Sequence, residues 1–197
     1  SNGSKALRPW SDKLLRVYRD PSQLRLQELP PEESYSIDIA TYGLKALARY
    51  SPEEALDQWG KLAGSLSFSG VETQSVEYAI ARNSLLDRLP AQVAWLDESL
   101  PRLADDTLIE IRLRWALGEQ DWAALDANFA HLSEEAAAKP VWRYWQAFSL
   151  GLRGEVDRET VALQSLAAER GYYSFLAADK LGLGYAFNGE TPEGIAS

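Results

Sequence analysis

The stretch that decides the fold is residues 39–66, IATYGLKALARYSPEEALDQWGKLAGSL. Apolar residues recur in it at helical spacing in two sets: Ile39, Gly43, Leu47 and Tyr50, and then Ala55, Trp59, Leu62 and Leu66. Between the sets, Ser51-Pro52-Glu53-Glu54 has a serine N-cap, a proline at the first helical position and a glutamate at the third. This order predicts a capping box, so the stretch is a pair of helices with a sharp joint.

The same pattern returns along the chain. Joints are predicted near Ser51, Pro90, Asp121 and Gly154, a spacing of roughly 30 to 40 residues that is typical of helix-pair repeats. Beside the stripe that starts at Leu108, a second stripe runs through Ile109, Leu113 and Leu117. A helix with two apolar faces is expected between neighbours in a stack. The predicted fold is therefore all-α, an α-superhelix or solenoid of stacked antiparallel helix pairs, similar to tetratricopeptide repeats.

The two ends of the chain have a different character. The sequence has no methionine, and Ser1-Asn2-Gly3 is typical of a scar left by tag cleavage, so we expect 1–3 to lie outside the fold. We expect an N-terminal helical segment over 4–36, broken at Asp20-Pro21, and the helical-repeat domain over 37–188. Residues 189–197 are rich in turn formers and are predicted to be an extended exit.

Composition excludes several classes of function. The formal net charge of −9 argues against binding to nucleic acid, which needs a basic face, and against adhesion to an anionic membrane. Without cysteine, and with His131 as its one histidine, the chain has no basis for a zinc site or a serine–histidine–aspartate triad. Without a phosphate-binding glycine loop it has none for nucleotide chemistry. We therefore expect no cofactor, no metal and no membrane-inserted segment.

Three acidic pairs invite a catalytic interpretation: Glu53-Glu54, Asp105-Asp106 and Glu134-Glu135. All of them fall where helices are predicted to begin. Acidic side chains at that position are stabilised by the helix dipole. Capping is therefore the preferred interpretation.

Near the C-terminus the chain reads RGYYSFLAADKLG over residues 170–182. It resembles the end of the superhelical region of soluble lytic transglycosylases, periplasmic enzymes that cut the glycan strands of peptidoglycan. The signature positions are Tyr172, Tyr173, Phe175, Leu176, Ala177, Ala178, Leu181 and Gly182, whereas Ser174 departs from a usual glycine. Segments starting at Tyr42, Arg112 and Trp142 resemble that region in the same order.

The resemblance implies a non-catalytic scaffold that positions glycan strands and the parent's catalytic domain, towards which residues 189–197 would lead. The acid of that family lies in a Glu-Ser pair followed by Gly-Leu-Met-Gln. Glu33-Ser34 and Glu98-Ser99 have no such sequence after them, so no catalytic residue is assigned. Two other readings stay open. One is a tetratricopeptide-like adaptor that binds peptides or proteins without enzymatic activity, and the other is a hydrolase built from distant carboxylates.

Tryptophans could contact glycan, since sugars bind to flat aromatic faces. Four of the seven lie on apolar stripes and are predicted to fill the core: Trp59, Trp115, Trp122 and Trp145. Trp10 and Trp142 are the predicted exposed candidates for glycan contact. Arg112, Arg114 and Arg143 could face an acidic partner or neutralise nearby carboxylates.

Overall fold

The structure, a computed structural model, describes residues 3–24 and 28–184, with side chains from Trp10 onward. This part of the chain contains eleven α-helices and no β-strand. The helices are α1 (Gly3–Arg19), α2 (Ser34–Leu47), α3 (Pro52–Ala63), α4 (Gly70–Leu86), α5 (Val93–Leu103), α6 (Asp106–Glu119), α7 (Trp122–Phe129), α8 (Glu134–Ala137), α9 (Pro140–Leu152), α10 (Val156–Ala167) and α11 (Tyr172–Leu181). The predicted all-α class is confirmed. The predicted exit, 189–197, and residues 1 and 2 lie outside the described residues.

The predicted helix pair of residues 39–66 is present as α2 and α3, and Pro52 opens α3. The predicted capping box is wrong, because the Ser51 side chain makes no cap hydrogen bond. A capping box opens α4 instead: the Glu72 amide donates to Ser69 Oγ (3.3 Å) and the Ser69 amide donates to Glu72 Oε2 (2.7 Å). The backbone explains the difference, since Ser69 is fully extended (ψ 165°) while Ser51 is not (ψ 81°).

The chain divides into two compact units, residues 1–115 and 116–197. In the first unit α2 packs against α1, α3 and α4, and its Ile39, Leu44 and Leu47 are buried in the core. Gly43 allows the close approach of α1, because a Cβ there would lie 2.8 Å from Val17 Cγ1. Tyr50, placed on the same stripe by sequence, is 81% exposed because it lies beyond the last residue of α2.

The two apolar faces predicted for α6 are confirmed by the burial of Leu108, Ile109 and Leu113. Between them lies Arg112, which is only 3% exposed. Its Nε and Nη2 donate to the two carboxylate oxygens of Asp97, at 2.8 and 3.2 Å. A planar guanidinium matches a carboxylate in this bidentate geometry, so the charge is neutralised inside the fold.

In the second unit α10 packs against α9 and α11. Leu163 and Leu166 of α10 are buried with Ala147 of α9 and Ala177 of α11. Val161 of the same helix is 66% exposed, since it lies on the outer face of α10. Gly154 has the positive φ (79°) that a glycine accepts at a helix stop, which confirms the joint predicted there.

Candidate functional site

A surface depression of the first unit lies where the end of α2 meets α4, and we call it the α2/α4 groove. Its volume is about 550 Å³, and its wall includes Lys45, Arg49, Val71, Tyr78, Arg82 and Asp105. Lys45 Nζ donates to Ser75 Oγ (2.7 Å), which joins the two helices beneath it. Three cations and one carboxylate line this groove in a chain whose net charge is −9.

A second depression, of about 380 Å³, is lined by Tyr18, Tyr42 and Tyr50 together with Arg19, Arg49 and Glu54, and we call it the tyrosine pocket. The Tyr18 and Tyr42 rings stack with centroids 5.7 Å apart and planes 19° apart. A third depression, of about 360 Å³, shares Tyr42 with the tyrosine pocket and Lys45 with the α2/α4 groove. Arg49 lines all three, so they form a continuous surface, which we call the α2 surface.

On the α2 surface, two carboxylates are held by hydrogen bonds, whereas two arginines have no ion-pair partner among the described residues. Hydrogen bonds with the side chain and then the amide of Ser69 hold the carboxylate of Glu72 and keep the pKa of Glu72 below its usual value. Asp105 Oδ1 accepts from the Leu108 amide (3.0 Å) at the start of α6. Arg49 and Arg82 are exposed and form no ion pair with any described residue. Their positive charges therefore face solvent.

Sequence reasoning missed the α2 surface, although the spacing contained a signal for it. Tyr42, Lys45 and Arg49 are three and four residues apart, which places them along one face of a helix. Ser75, Tyr78 and Arg82 have the same spacing on α4. The sequence could not show that the two faces adjoin, because that depends on how α2 packs on α4.

The predicted glycan-contact residues lie elsewhere. The predicted exposure of Trp142 is wrong: the residue is 1% exposed, and its ring meets that of Phe129 with centroids 6.4 Å apart. Its position in the first turn of α9 turns it towards α7, which the sequence pattern did not reveal. Trp10 is partly buried and packs against the core of the first unit. Neither residue lines the α2 surface as described.

The tryptophans predicted to fill the core behave in two ways. Trp59 and Trp115 are buried, as predicted. Trp122 and Trp145 are half-buried and both contact Phe148, at centroid distances of 5.5 and 5.4 Å. Tyr144 continues this aromatic cluster, and burial raises the pKa of its hydroxyl against the opposing effect of Lys180.

The α11 segment places its signature residues on different faces. Ala177 and Ala178 are buried, and Tyr173 and Leu181 pack against the core of the second unit. Tyr172 and Phe175 are 69% and 40% exposed. Gly182 ends the helix with φ 65°, a conformation that glycine adopts without strain. Tyr173, Ala177 and Leu181 therefore share the face of α11 that packs on this core.

Neither of the two Glu-Ser glutamates is sheltered from water. Glu33 is exposed before α2, and the exposed Glu98 lies 3.4 Å from Arg102. Glycan cleavage needs a carboxylic acid kept protonated in an apolar pocket, which neither residue has. The three acidic pairs lie at the starts of α3, α6 and α8, as the capping interpretation predicts.

His131 and the three arginines considered in the sequence analysis have ordinary structural surroundings. His131 is exposed after α7, and no cluster in the described part of the chain could hold a metal ion. Arg112, Arg114 and Arg143 pair with Asp97, Glu110 and Glu169 respectively, so each neutralises a nearby carboxylate. Among the described helices, none is long and apolar enough to cross a membrane.

Comparison with curated proteins gives consistent matches. The soluble lytic murein transglycosylase of Salmonella typhimurium is 32% identical over 152 residues, which are 77% of this chain and 24% of that protein. The protein of the same name from Escherichia coli K12 is 31% identical over 155 residues, again 77% and 24%. This chain is homologous to one segment of the soluble lytic murein transglycosylases. No family model matches it.

Solved structures agree with this assignment. An inactive mutant of the lytic transglycosylase Slt from Pseudomonas aeruginosa matches with a TM-score of 0.77 and 31% identity, over 91% of this chain and 30% of that one. The 70 kDa soluble lytic transglycosylase of Escherichia coli matches with a TM-score of 0.75 and 25% identity, over 100% and 32%. The resemblance noted from the sequence is thus confirmed. The chain spans about a quarter of the length of the curated transglycosylases it matches.

Proposed function

We propose that this chain is a non-catalytic helical scaffold of a periplasmic murein transglycosylase, and that it positions peptidoglycan glycan strands and the catalytic domain of its parent. The observation that carries the proposal is the similarity to about a quarter of such enzymes, across most of this chain. Within it, 37–188 would be the helical-repeat domain and 4–36 its N-terminal helical segment.

The chemistry of the described residues supports a scaffold rather than a cleaving enzyme. A general acid needs shelter from water, whereas Glu33 and Glu98 are exposed. The depressions of the first unit instead offer aromatic and cationic side chains, which suit binding. The family signature in α11 would have a structural role in closing the last helices of the second unit.

The test uses purified murein sacculi, which are sedimented with the chain and analysed for released fragments. We expect the chain to sediment with sacculi and to release no soluble fragments, while a full-length transglycosylase releases them. Release by the chain alone would contradict a non-catalytic role. A chain that stays in the supernatant would favour the tetratricopeptide-like adaptor.

A further inference from the structure

Three exposed tyrosines around one depression are the first observation. Tyr18, Tyr42 and Tyr50 are 64%, 39% and 81% exposed, so their rings face solvent and not the core. A tyrosine presents an apolar ring and a polar hydroxyl together, which suits a ligand that is itself both apolar and polar. The apolar C–H face of a pyranose ring can lie on such a ring while the sugar hydroxyls and amides reach polar neighbours.

The second observation is the unpaired charge beside the tyrosines. Arg49 reaches the tyrosine pocket and the α2/α4 groove, and Arg82 lines the far side of that groove. Neither forms an ion pair with a described residue, and the one carboxylate that lines the α2/α4 groove, Asp105, accepts a hydrogen bond from a backbone amide. Guanidinium groups in this state bind carboxylates with charge-assisted hydrogen bonds.

We infer that the α2 surface is where this chain contacts murein, with sugar rings on Tyr18 and Tyr42 and the carboxylates of the peptide side chains on Arg49 and Arg82. The inference rests on the proposed function and names the face that performs it. Murein combines N-acetylated sugars with peptides that carry carboxylates, so one strand supplies partners for both sets of side chains. The net charge of −9 would repel an anionic polymer over much of the molecule, so we expect attraction at the α2/α4 groove, where three cations face one carboxylate.

The experiment measures the affinity of the chain for sacculi by sedimentation, for the wild type and for Tyr18→Ala, Arg49→Gln and Arg82→Gln. Two matched controls lie away from the α2 surface. Tyr172→Ala removes an equally exposed tyrosine in the second unit, and Arg114→Gln removes an exposed arginine that pairs with Glu110. We expect each of the three α2-surface variants to weaken binding about five- to tenfold, the loss typical of one hydrogen bond to a charged group or one aromatic contact. The controls should bind as the wild type does.

A second readout locates the contact directly. Amide NMR spectra of the labelled chain are recorded with peptide-bearing disaccharides from digested murein, and with chitotetraose, an uncharged oligomer of N-acetylglucosamine. The peptide-bearing fragments should shift amides of residues 42–50 and 75–82 and should bind more weakly at high salt. Chitotetraose should bind more weakly than these fragments at every salt concentration.

The outcomes separate the two proposals. If the wild type binds sacculi and the three α2-surface variants bind equally well, the α2 surface is not the contact and only this inference fails. Shifts confined to other residues would overturn it in the same way. If the wild type binds neither sacculi nor fragments, the proposed murein contact of the whole chain fails with it.

Discussion

The two compact units differ in the arginines that line their grooves. In the first unit one arginine, Arg112, is buried against Asp97, while Arg49 and Arg82 stay exposed without an ion pair among the described residues. In the second unit a groove of about 400 Å³ between α9 and α10 is lined by Arg143, Arg153 and Arg158. Each of these three pairs with a carboxylate: Glu169 at 2.5 Å, Asp126 at 2.6 Å and Glu155 respectively.

The comparison shows that counting cations along a groove does not identify a binding surface. Both grooves have three cationic side chains, but those between α9 and α10 already have acidic partners. An arginine whose carboxylate partner lies beside it has little left to offer a ligand, and exposed pairs add little stability. The α2/α4 groove is the better candidate because its carboxylate is held by a backbone amide and two of its cations are unpaired.

The largest expected effect concerns the buried pair. Asp97→Ala leaves the guanidinium of Arg112 buried without its partner and should lower the free energy of unfolding by about 3 kcal/mol. Arg112→Met should cost less, because the remaining Asp97 side chain is 39% exposed and can be hydrated. Glu169→Ala, in the second unit, should cost at most about 1 kcal/mol because its pair with Arg143 is at the surface. Denaturant unfolding measures all three, and equal losses would contradict the contrast.

A smaller effect is expected from one closely packed glycine in each unit. Gly43→Ala would put a methyl group 2.8 Å from Val17 and 3.2 Å from Leu24, both buried, and should cost about 1–3 kcal/mol. Gly151→Ala meets the carboxylate of Glu159, which can rotate away and give up its ion pair with Lys180. That pair is partly exposed, so the loss should stay below about 1 kcal/mol. Thermal unfolding of the two variants checks the order, and the reverse order would contradict the packing described.

Removing the carboxylates of the groove between α9 and α10 should make it bind murein fragments as we expect the α2/α4 groove to do. In Asp126→Asn/Glu155→Gln/Glu169→Gln the three arginines lose their carboxylate partners, and because these ion pairs lie at the surface the fold should lose little stability. Amides of residues 143–165 should then shift with peptide-bearing murein fragments, as they should not in the wild type. Glu53→Gln/Glu54→Gln/Glu98→Gln removes three carboxylates elsewhere and serves as the control. If the amides of residues 143–165 still do not shift, free positive charge alone does not create a binding surface.

The smallest effect is a difference in acid sensitivity. Hydrogen bonds from Ser69 lower the pKa of Glu72, and a hydrogen bond from Arg158 lowers the pKa of Glu155, each from an ordinary value of 4.5. A carboxylate whose pKa is lowered in the folded state stabilises the fold above its unfolded pKa, and this stability is lost as the pH falls through the folded pKa. Glu72→Gln and Glu155→Gln should therefore both reduce the loss of stability below about pH 4.5.

Salt separates the two residues. The Glu155 effect depends on an exposed ion pair and should shrink at high salt, while the Glu72 effect depends on local hydrogen bonds and should persist. Melting temperatures measured against pH at low and high salt provide the check. Equal sensitivity to salt would contradict the causes assigned here.

Much of the fold could be predicted from local pattern. The joints at Ser51, Asp121 and Gly154 are present, and Asp121 caps α7 by accepting from the Ala124 amide at 3.0 Å. Errors arose where position relative to a helix end mattered. Tyr50 lies one turn beyond α2 and is exposed, and the cap expected at Ser51 occurs at Ser69. Trp142 was expected at the surface because its neighbour on α7, Phe129, could not be inferred from spacing.

The sequence by itself determined the all-helical class, the positions of most joints and the resemblance to a murein transglycosylase segment. These follow from apolar periodicity, caps and residue order, which are local properties of the chain. Only the tertiary structure decided that Tyr18 stacks on Tyr42, that Arg49 and Arg82 border one groove, and that the arginines between α9 and α10 are paired. Those facts depend on which helix faces meet, and packing between residues distant in sequence sets that choice.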